Sequence, residues 1–371
     1  MADGRVMRVL AVNPGSSSLK LSLLGSGAAP LASAELDAPR ARLDADALAQ
    51  ALAGPLREAD AIGFRVVHGG ERFRDPVVID DGVVAALREL TELAPLHQPR
   101  SLAAIDAVRG ALGDLPAVAC FDTAFHATLS PAAATYALPQ AWRERWRIRR
   151  YGFHGLSHAW VTRHAPAIAG RPGEAPRIVS CHLGAGASLC AIAGGQSRDT
   201  TMGFTPLEGL VMATRSGSVD PGLLLWLLDD GRLSRSALEE GLEHHAGLAA
   251  LAGTPDMREV LERSAAGEDV ATLTFEVYLH RLRAAIASMT ATLGGLDVLA
   301  FTGGVGEHAP LVRERAVGGL AFLGAQVDPA SNALAHGDAD VSAAGASVRT
   351  VVVSAREDLE IAAQTRAALA A

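Results

Sequence analysis

Short apolar runs and small-residue turns alternate along this chain, and one such arrangement occurs twice. Val9-Leu10-Ala11-Val12 reads as a buried strand, Asn13 to Ser18 as a polar turn of Asn, Pro, Gly and Ser, and the stretch after Lys20 as a returning strand. Far downstream, Ile178 to His182 is again a strand, Leu183 to Ser188 a small-residue turn, and Leu189 to Ala193 a return before Gly194-Gly195. Further strands are predicted at 61–68, 117–121, 298–301 and 351–353. Helices are predicted where apolar residues recur every three or four positions. They fall at Leu102, Ile105, Val108 and Leu112, and most clearly at Phe275, Leu279, Leu282, Ile286 and Met289, ending near Gly294-Gly295. The Ala-rich stretch 33–56 reads as helical, 359–370 as a closing helix, and the Pro-Leu-Glu-Gly stretch before Thr214 as irregular. The pattern is that of an α/β protein with a duplicated strand–turn–strand unit.

With 371 residues the chain exceeds one typical core, which points to two domains. Nearly half the residues are hydrophobic, few are aromatic, and Ala and Gly abound, as expected of close helix–sheet contacts. The formal net charge of −8 and the lack of a long basic run argue against a nucleic-acid partner. No apolar stretch is long enough to span a bilayer and no secretory segment is visible, so a cytoplasmic location is expected. The three cysteines, Cys120, Cys181 and Cys190, lie in apolar surroundings and read as reduced core residues.

Two Gly/Ser hairpins suggest a phosphate gripped between two copies of one domain, because such turns present backbone N–H groups to an anion. Lys20 follows the first turn and is the only lysine in the chain, which suggests a compact ammonium for phosphate contact. Arg65, inside an apolar run, requires a carboxylate or phosphate partner, an internal salt bridge being the plain alternative. Asp122 and His126 stand just past a strand end, where open α/β sheets keep their chemistry. Gly303, Gly304 and Gly306 follow the strand at 298–301 and permit close backbone approach by a flat or phosphorylated ligand.

Ten stretches in register resemble the acetate/propionate kinase family. They are Asn13 to Lys20, Arg65 to Gly70, Pro95-Leu96-His97, Phe121 to His126 and Arg150 to Gly155, followed by His182 to Gly184, Met202 to Gly209, Thr214 to Gly217, Asp256 to Arg258 and Thr302 to Glu307. The resemblance implies two ribonuclease-H-like halves of the actin-like ATPase class closing on ATP. One half is expected over 1–126 plus 359–371 and the other over 127–358, with homodimerisation. It implies a reversible phosphoryl transfer from ATP to acetate, giving acetyl phosphate and ADP, with Mg²⁺ or Mn²⁺. Residue by residue, it implies Asn13 and Glu357 at the metal and Lys20 at the nucleotide phosphates. Asp122, His154 and Arg215 take catalytic positions, and Arg65 holds the substrate carboxylate with Val67, Leu96, Phe153 and Pro206 around its methyl. His182, Leu183, Gly184, Ala185, Gly186, Asp256, Met257, Arg258, Gly303, Gly304, Val305, Gly306 and Glu307 fall on nucleotide-binding stretches. The chain departs from the family at Ala185 (usually Asn), Phe64 (His), Gln98 (Asn), His308 (Asn) and Ser218 (Asp). A propionate or other short-chain fatty-acid kinase, a sugar kinase and a silent nucleotide-binding protein are the competing readings.

Overall fold

The computed structural model describes residues 6–15, 18–38, 44–94 and 97–371. The chain divides into two compact units, one of 1–127, 153–160 and 356–371, the other of 128–152 and 161–355. The first unit is built on β1 (Val9–Pro14), β2 (Ser18–Leu24), β3 (Ala32–Asp37), β4 (Ala61–Val66), β5 (Val77–Val78) and β6 (Ala117–Phe121). Their order across the sheet is β3-β2-β1-β4-β6-β5. The first three form an antiparallel meander, β4 and β6 join parallel to β1, and β5 closes the edge antiparallel.

The second unit repeats this plan strand for strand, with β7 (Ile178–Leu183), β8 (Ala187–Ala193), β9 (Gln196–Thr200), β10 (Val298–Thr302), β11 (Ala339–Asp340) and β12 (Arg349–Val352). Read from β9, its order is β9-β8-β7-β10-β12-β11, with the same parallel and antiparallel pairings. The duplicated α/β unit expected from the repeated hairpin is therefore present, one copy in each sheet.

Continuous apolar runs in β1, β4 and β6 follow from burial on both faces. Leu10 and Val12 join Ile62, Phe64, Ile105 and Val108 on one side. Val9 and Ala11 join Val118, Cys120, Leu156 and Ile361 on the other. The second sheet is covered at β8 by the helix Asp269–Leu293, whose buried stripe contains Phe275, Leu279, Leu282, Ile286 and Met289. All three cysteines are free and buried. No helix among the described residues is long and apolar enough to cross a membrane.

Several elements differ from the sequence reading. Residues 32–37, expected to begin a helix, form β3, because β2 offers an open edge and the Ala-Ser-Ala-Glu-Leu-Asp alternation suits a half-exposed strand. The helix within the expected span is Ala45–Leu52. Gly303–His308, given no element by the sequence pattern, is a short helix entered directly from β10. The last helix begins at Glu357, so Glu357 and Asp358 occupy its first turn, where carboxylates are favoured by the helix dipole.

Candidate active site

In the first unit the parallel strands β1, β4 and β6 deliver their C-terminal ends to one edge of the sheet. Asn13 and Arg65 are the last-but-one residues of β1 and β4, and Asp122 follows β6 directly. The Arg65 guanidinium donates from Nη2 to Asp122 Oδ2 at 2.7 Å and from Nε to both Asp122 oxygens at 3.0 and 3.2 Å. Its Nη1 donates to Asn13 Oδ1 at 3.1 Å and stands 3.8 Å from Glu357 Oε2. Asn13 Nδ2 donates to Glu357 Oε2 at 2.9 Å, closing the cluster. Asp122 is 1% exposed, whereas Arg65 and Glu357 keep 16% and 14% of their side-chain surface. Burial would strip the proton from Arg65, but the carboxylates of Asp122 and Glu357 outweigh it and hold the guanidinium charged. Burial likewise pushes the Asp122 carboxyl upward, with Arg65 opposing.

One cation among two carboxylates and an amide oxygen leaves a net negative, oxygen-rich corner. That donor set fits Mg²⁺, which dehydrates reluctantly and is held by one or two carboxylates plus waters and substrate phosphates. Among the described residues no three His, Cys, Asp or Glu side chains are placed to cage a metal by themselves, which such a shared mode does not require.

The Asp122 carbonyl accepts the N–H of Gly155, tying the end of β6 to the helix Gly155–Ile168. His154 stands immediately before that helix at φ 57°, one of three non-glycine residues with positive φ among those described. Such a conformation costs free energy and tends to mark functional positions. Phe153 is buried, and its carbonyl lies 3.0 Å from His126 Nε2. Val67 is buried one residue beyond β4.

Lys20 pairs with Asn13 across β1–β2 and with Glu35 across β2–β3, so the three side chains leave one face of the sheet in a row. Its ammonium is exposed and 3.9 Å from Glu35 Oε1, which also accepts from Ser18 Oγ at 2.7 Å. Ser16 and Ser17 at the hairpin tip, and Leu96 of the expected methyl pocket, lie outside the described residues.

The second unit holds a cavity of about 610 Å³. It gathers three stretches far apart in sequence: Gly184 and Ala185 of the β7–β8 turn, Asp256 to Arg258, and Gly304 and Val305. His182 and Leu183 end β7, Gly186 belongs to the β7–β8 turn, and Gly303, Gly306 and Glu307 belong to the short helix Gly303–His308; none of the six lines it. Its walls are largely apolar, which suits a flat heteroaromatic ring. Met212, Leu248, Pro255 and Tyr278 also line it and were missed by the sequence reading; His308 lines it too and was named there only as a departure from the family. Tyr278 could have been found only by noticing a polar-tipped aromatic beside the stripe of its helix.

Asp256 caps the helix Met257–Ala265 and pairs with Arg258 at 2.6 Å, and the hydrogen bonds from Arg258 hold its carboxyl below the usual range. Glu307 Oε1 accepts the N–H groups of Gly303 and Ala355 at 2.9 and 3.0 Å, an anchor for the glycine turn. Elsewhere in this unit, the half-buried Arg215 donates from Nη1 to the Pro206 carbonyl at 2.9 Å, and its Nε stands 3.9 Å from Glu243 Oε2. Burial lowers the Arg215 pKa and Glu243 opposes.

Comparison with known proteins identifies the family of the chain. The sequence profile of the Acetokinase family matches residues 41–363. The acetate kinase of Trichormus variabilis is 47% identical over 312 residues, covering 84% of this chain and 77% of that protein. That of Leifsonia xyli is 50% identical over 314 residues, covering 84% and 79%. Among solved structures, Porphyromonas gingivalis acetate kinase superposes with a TM-score of 0.89 at 33% identity, covering 98% of this chain and 100% of that one. A propionate kinase from Francisella tularensis superposes at 0.88 and 33%, covering 97% and 99%. On a profile match through most of its length and relatives this similar, the chain belongs to the acetokinase family.

Proposed function

We propose that the protein is an acetate kinase, moving the γ-phosphoryl group of ATP to acetate to give acetyl phosphate and ADP, reversibly. The observation that carries this reading is the charged Arg65, fixed by Asp122 and Asn13 at a strand-end edge, with the buried Val67 two positions further along the chain. A guanidinium next to an apolar wall is what a short carboxylate with an alkyl tail requires.

Acetate is ionised at neutral pH, because free carboxyls titrate near about 4, so the nucleophile needs no general base. The barrier comes instead from bringing an anionic oxygen to an anionic phosphoryl group, and cations and positioning lower it. In this reading Arg65 holds the carboxylate, and Arg215 and His154 neutralise charge developing on the transferring group. Asp122 acts through Arg65, since its oxygens already accept from that guanidinium. The same engagement weighs against a sugar kinase, which needs a carboxylate available as base. The apolar cavity of the second unit takes the nucleotide base, with Lys20 assigned to the phosphates. Asn13 and Glu357 would hold Mg²⁺, which supplies charge neutralisation on the polyphosphate when bound.

The experiment is a hydroxamate assay with ATP, Mg²⁺ and either acetate or propionate. Acethydroxamate formation with acetate preferred is expected. ATP binding with no hydroxamate from either acid would overturn the reading. The Francisella resemblance keeps propionate in the comparison. One methylene in an apolar pocket is worth about 1–3 kcal/mol, so a preference of roughly 10- to 200-fold is expected, and Val67→Ala should narrow it.

We also infer a homodimer. Support comes from the helix Pro221–Leu228, whose Leu223, Leu225, Trp226 and Leu228 are all exposed.

A further inference from the structure

The residues between β9 and the helix Pro221–Leu228 form no regular element, yet a compact side-chain bracket grips their first half. Glu208 stands within it. Its Oε2 accepts the Tyr136 hydroxyl at 2.5 Å and its Oε1 accepts Arg150 Nη2 at 2.8 Å. Arg150 Nη1 donates to the carbonyls of Thr200, Thr201 and Met202 at 3.2, 3.3 and 3.0 Å. The guanidinium also lies over the Tyr136 ring, 5.4 Å from its centroid. The Tyr136 hydroxyl accepts the Phe204 N–H at 2.9 Å. Gly203 threads between these groups. A Cβ there would stand 1.7 Å from Glu208 Oε2 and 2.1 Å from the Tyr136 hydroxyl, so any other residue would push these two groups out of the bracket. Burial, then the bond to Glu208, pushes the Tyr136 pKa up, keeping the hydroxyl a donor.

The loop so held presents the Pro206 carbonyl to Arg215 Nη1, two residues before Glu208. Just past Glu208, Gly209 exchanges hydrogen bonds with Ser218: its carbonyl accepts the Ser218 N–H at 3.0 Å and its N–H donates to Ser218 Oγ at 3.1 Å. The chain on both sides of Pro206, Thr200 to Phe204 before it and Glu208 after it, is thus held by bonds that touch neither Arg215 nor a ligand. We propose that Tyr136, Glu208 and Arg150 are positioning residues that aim the Arg215 guanidinium by fixing the Pro206 carbonyl. This rests on the reading of Arg215 as a transition-state cation. A cation displaced by about 1 Å from its productive place can cost on the order of 10²-fold in rate.

Tyr136→Phe is the sharpest test, since it removes one hydroxyl and keeps the ring under Arg150. The expected result is a fall in kcat of roughly tenfold, with KM for acetate and ATP within about twofold of wild type. Faster hydrogen exchange across 201–218 should accompany it. In an Arg215→Ala background the same substitution should cost nothing further, because coupled residues are non-additive. Glu208→Gln, which keeps the shape and removes the charge, should reproduce the kcat loss and stands in if Tyr136→Phe does not fold. An undiminished kcat, unchanged exchange in the loop, or a full additional loss in the Arg215→Ala background would each overturn the proposal. Wild-type protein that makes no acethydroxamate would instead defeat the assigned reaction, while the exchange measurement still reads whether the bracket fixes the loop.

Discussion

Arg65 and Arg215 are both guanidiniums with depleted solvent, yet their partners differ in a way that separates their variants. Arg65 is locked to a carboxylate that is 1% exposed, so Arg65→Ala strands that charge in the interior. Removing one partner of a buried pair typically costs about 3–5 kcal/mol, so its melting temperature should fall markedly while KM for acetate rises. Arg215 leans on a carbonyl and a half-buried Glu243 at 3.9 Å, so Arg215→Ala should leave stability nearly intact. Its kcat should drop by roughly 10² or more with KM little changed. Steady-state kinetics beside thermal melts check both, and matching signatures for the two variants would sink the division of labour. His68 makes a separate, pH-dependent prediction. Burial pushes its pKa down to about 4 from 6.5, and its Nδ1 accepts the Gly70 N–H at 2.8 Å, so the native ring is neutral. Between those two values the unfolded chain binds a proton that the native state refuses. Its contribution, about 3 kcal/mol, is therefore complete above pH 6.5 and lost as pH falls toward 4. Denaturant titrations across that window should show a shallower pH slope in His68→Gln; an unaltered slope would mean the ring titrates normally.

Elements are where the two hairpins, the long helix and the parallel strands could be read in advance, because periodicity reports burial directly. The strand-end positions of Arg65 and Asp122 were legible for the same reason: a polar residue within or just past an apolar run must be partnered. The partnership of Asn13 with Glu357 was not, since 344 positions separate them and only the resemblance joined them. The cavity was half legible. Its glycine turns announce themselves, whereas Met212, Leu248 and Tyr278 look like ordinary core until the backbone brings them together. Gly63 illustrates the limit well. In sequence it merely weakens a strand, but in the fold a Cβ there would lie 2.3 Å from Thr365 Oγ1 and 2.6 Å from Ile361 Cγ2. The helix Glu357–Ala370 therefore lies flush on β4 only because this position is bare. Gly63→Ala should cost about 1–3 kcal/mol by overpacking. Because Glu357 opens that helix, the variant should also need more Mg²⁺ for half-maximal activity. A melt and a Mg²⁺ titration test the pair of effects, and a lowered melting temperature with unchanged Mg²⁺ demand would separate the helix from the metal.

On the scale of the whole molecule, the helix Pro221–Leu228 concentrates exposed apolar side chains on one short element. It contains no charged residue, and Leu225 and Trp226 are 67% and 52% exposed. Contiguous apolar surface of this kind ordinarily marks an interface. Charges flank it closely: Asp220 caps its start, and Arg232 from the turn beyond lies 4.3 Å over the Trp226 ring. An apolar centre with a charged rim is the composition of a stable interface. A second copy is the occupant that needs no other gene product, and a twofold axis would set the same face against itself. Light scattering should accordingly give a dimer for the wild-type chain and a monomer for Leu225→Glu with Trp226→Glu. The helix begins just downstream of Arg215, so the dissociated variant should also lose kcat while keeping its circular dichroism. A monomeric wild type at micromolar concentration would remove the second copy as the partner of this face.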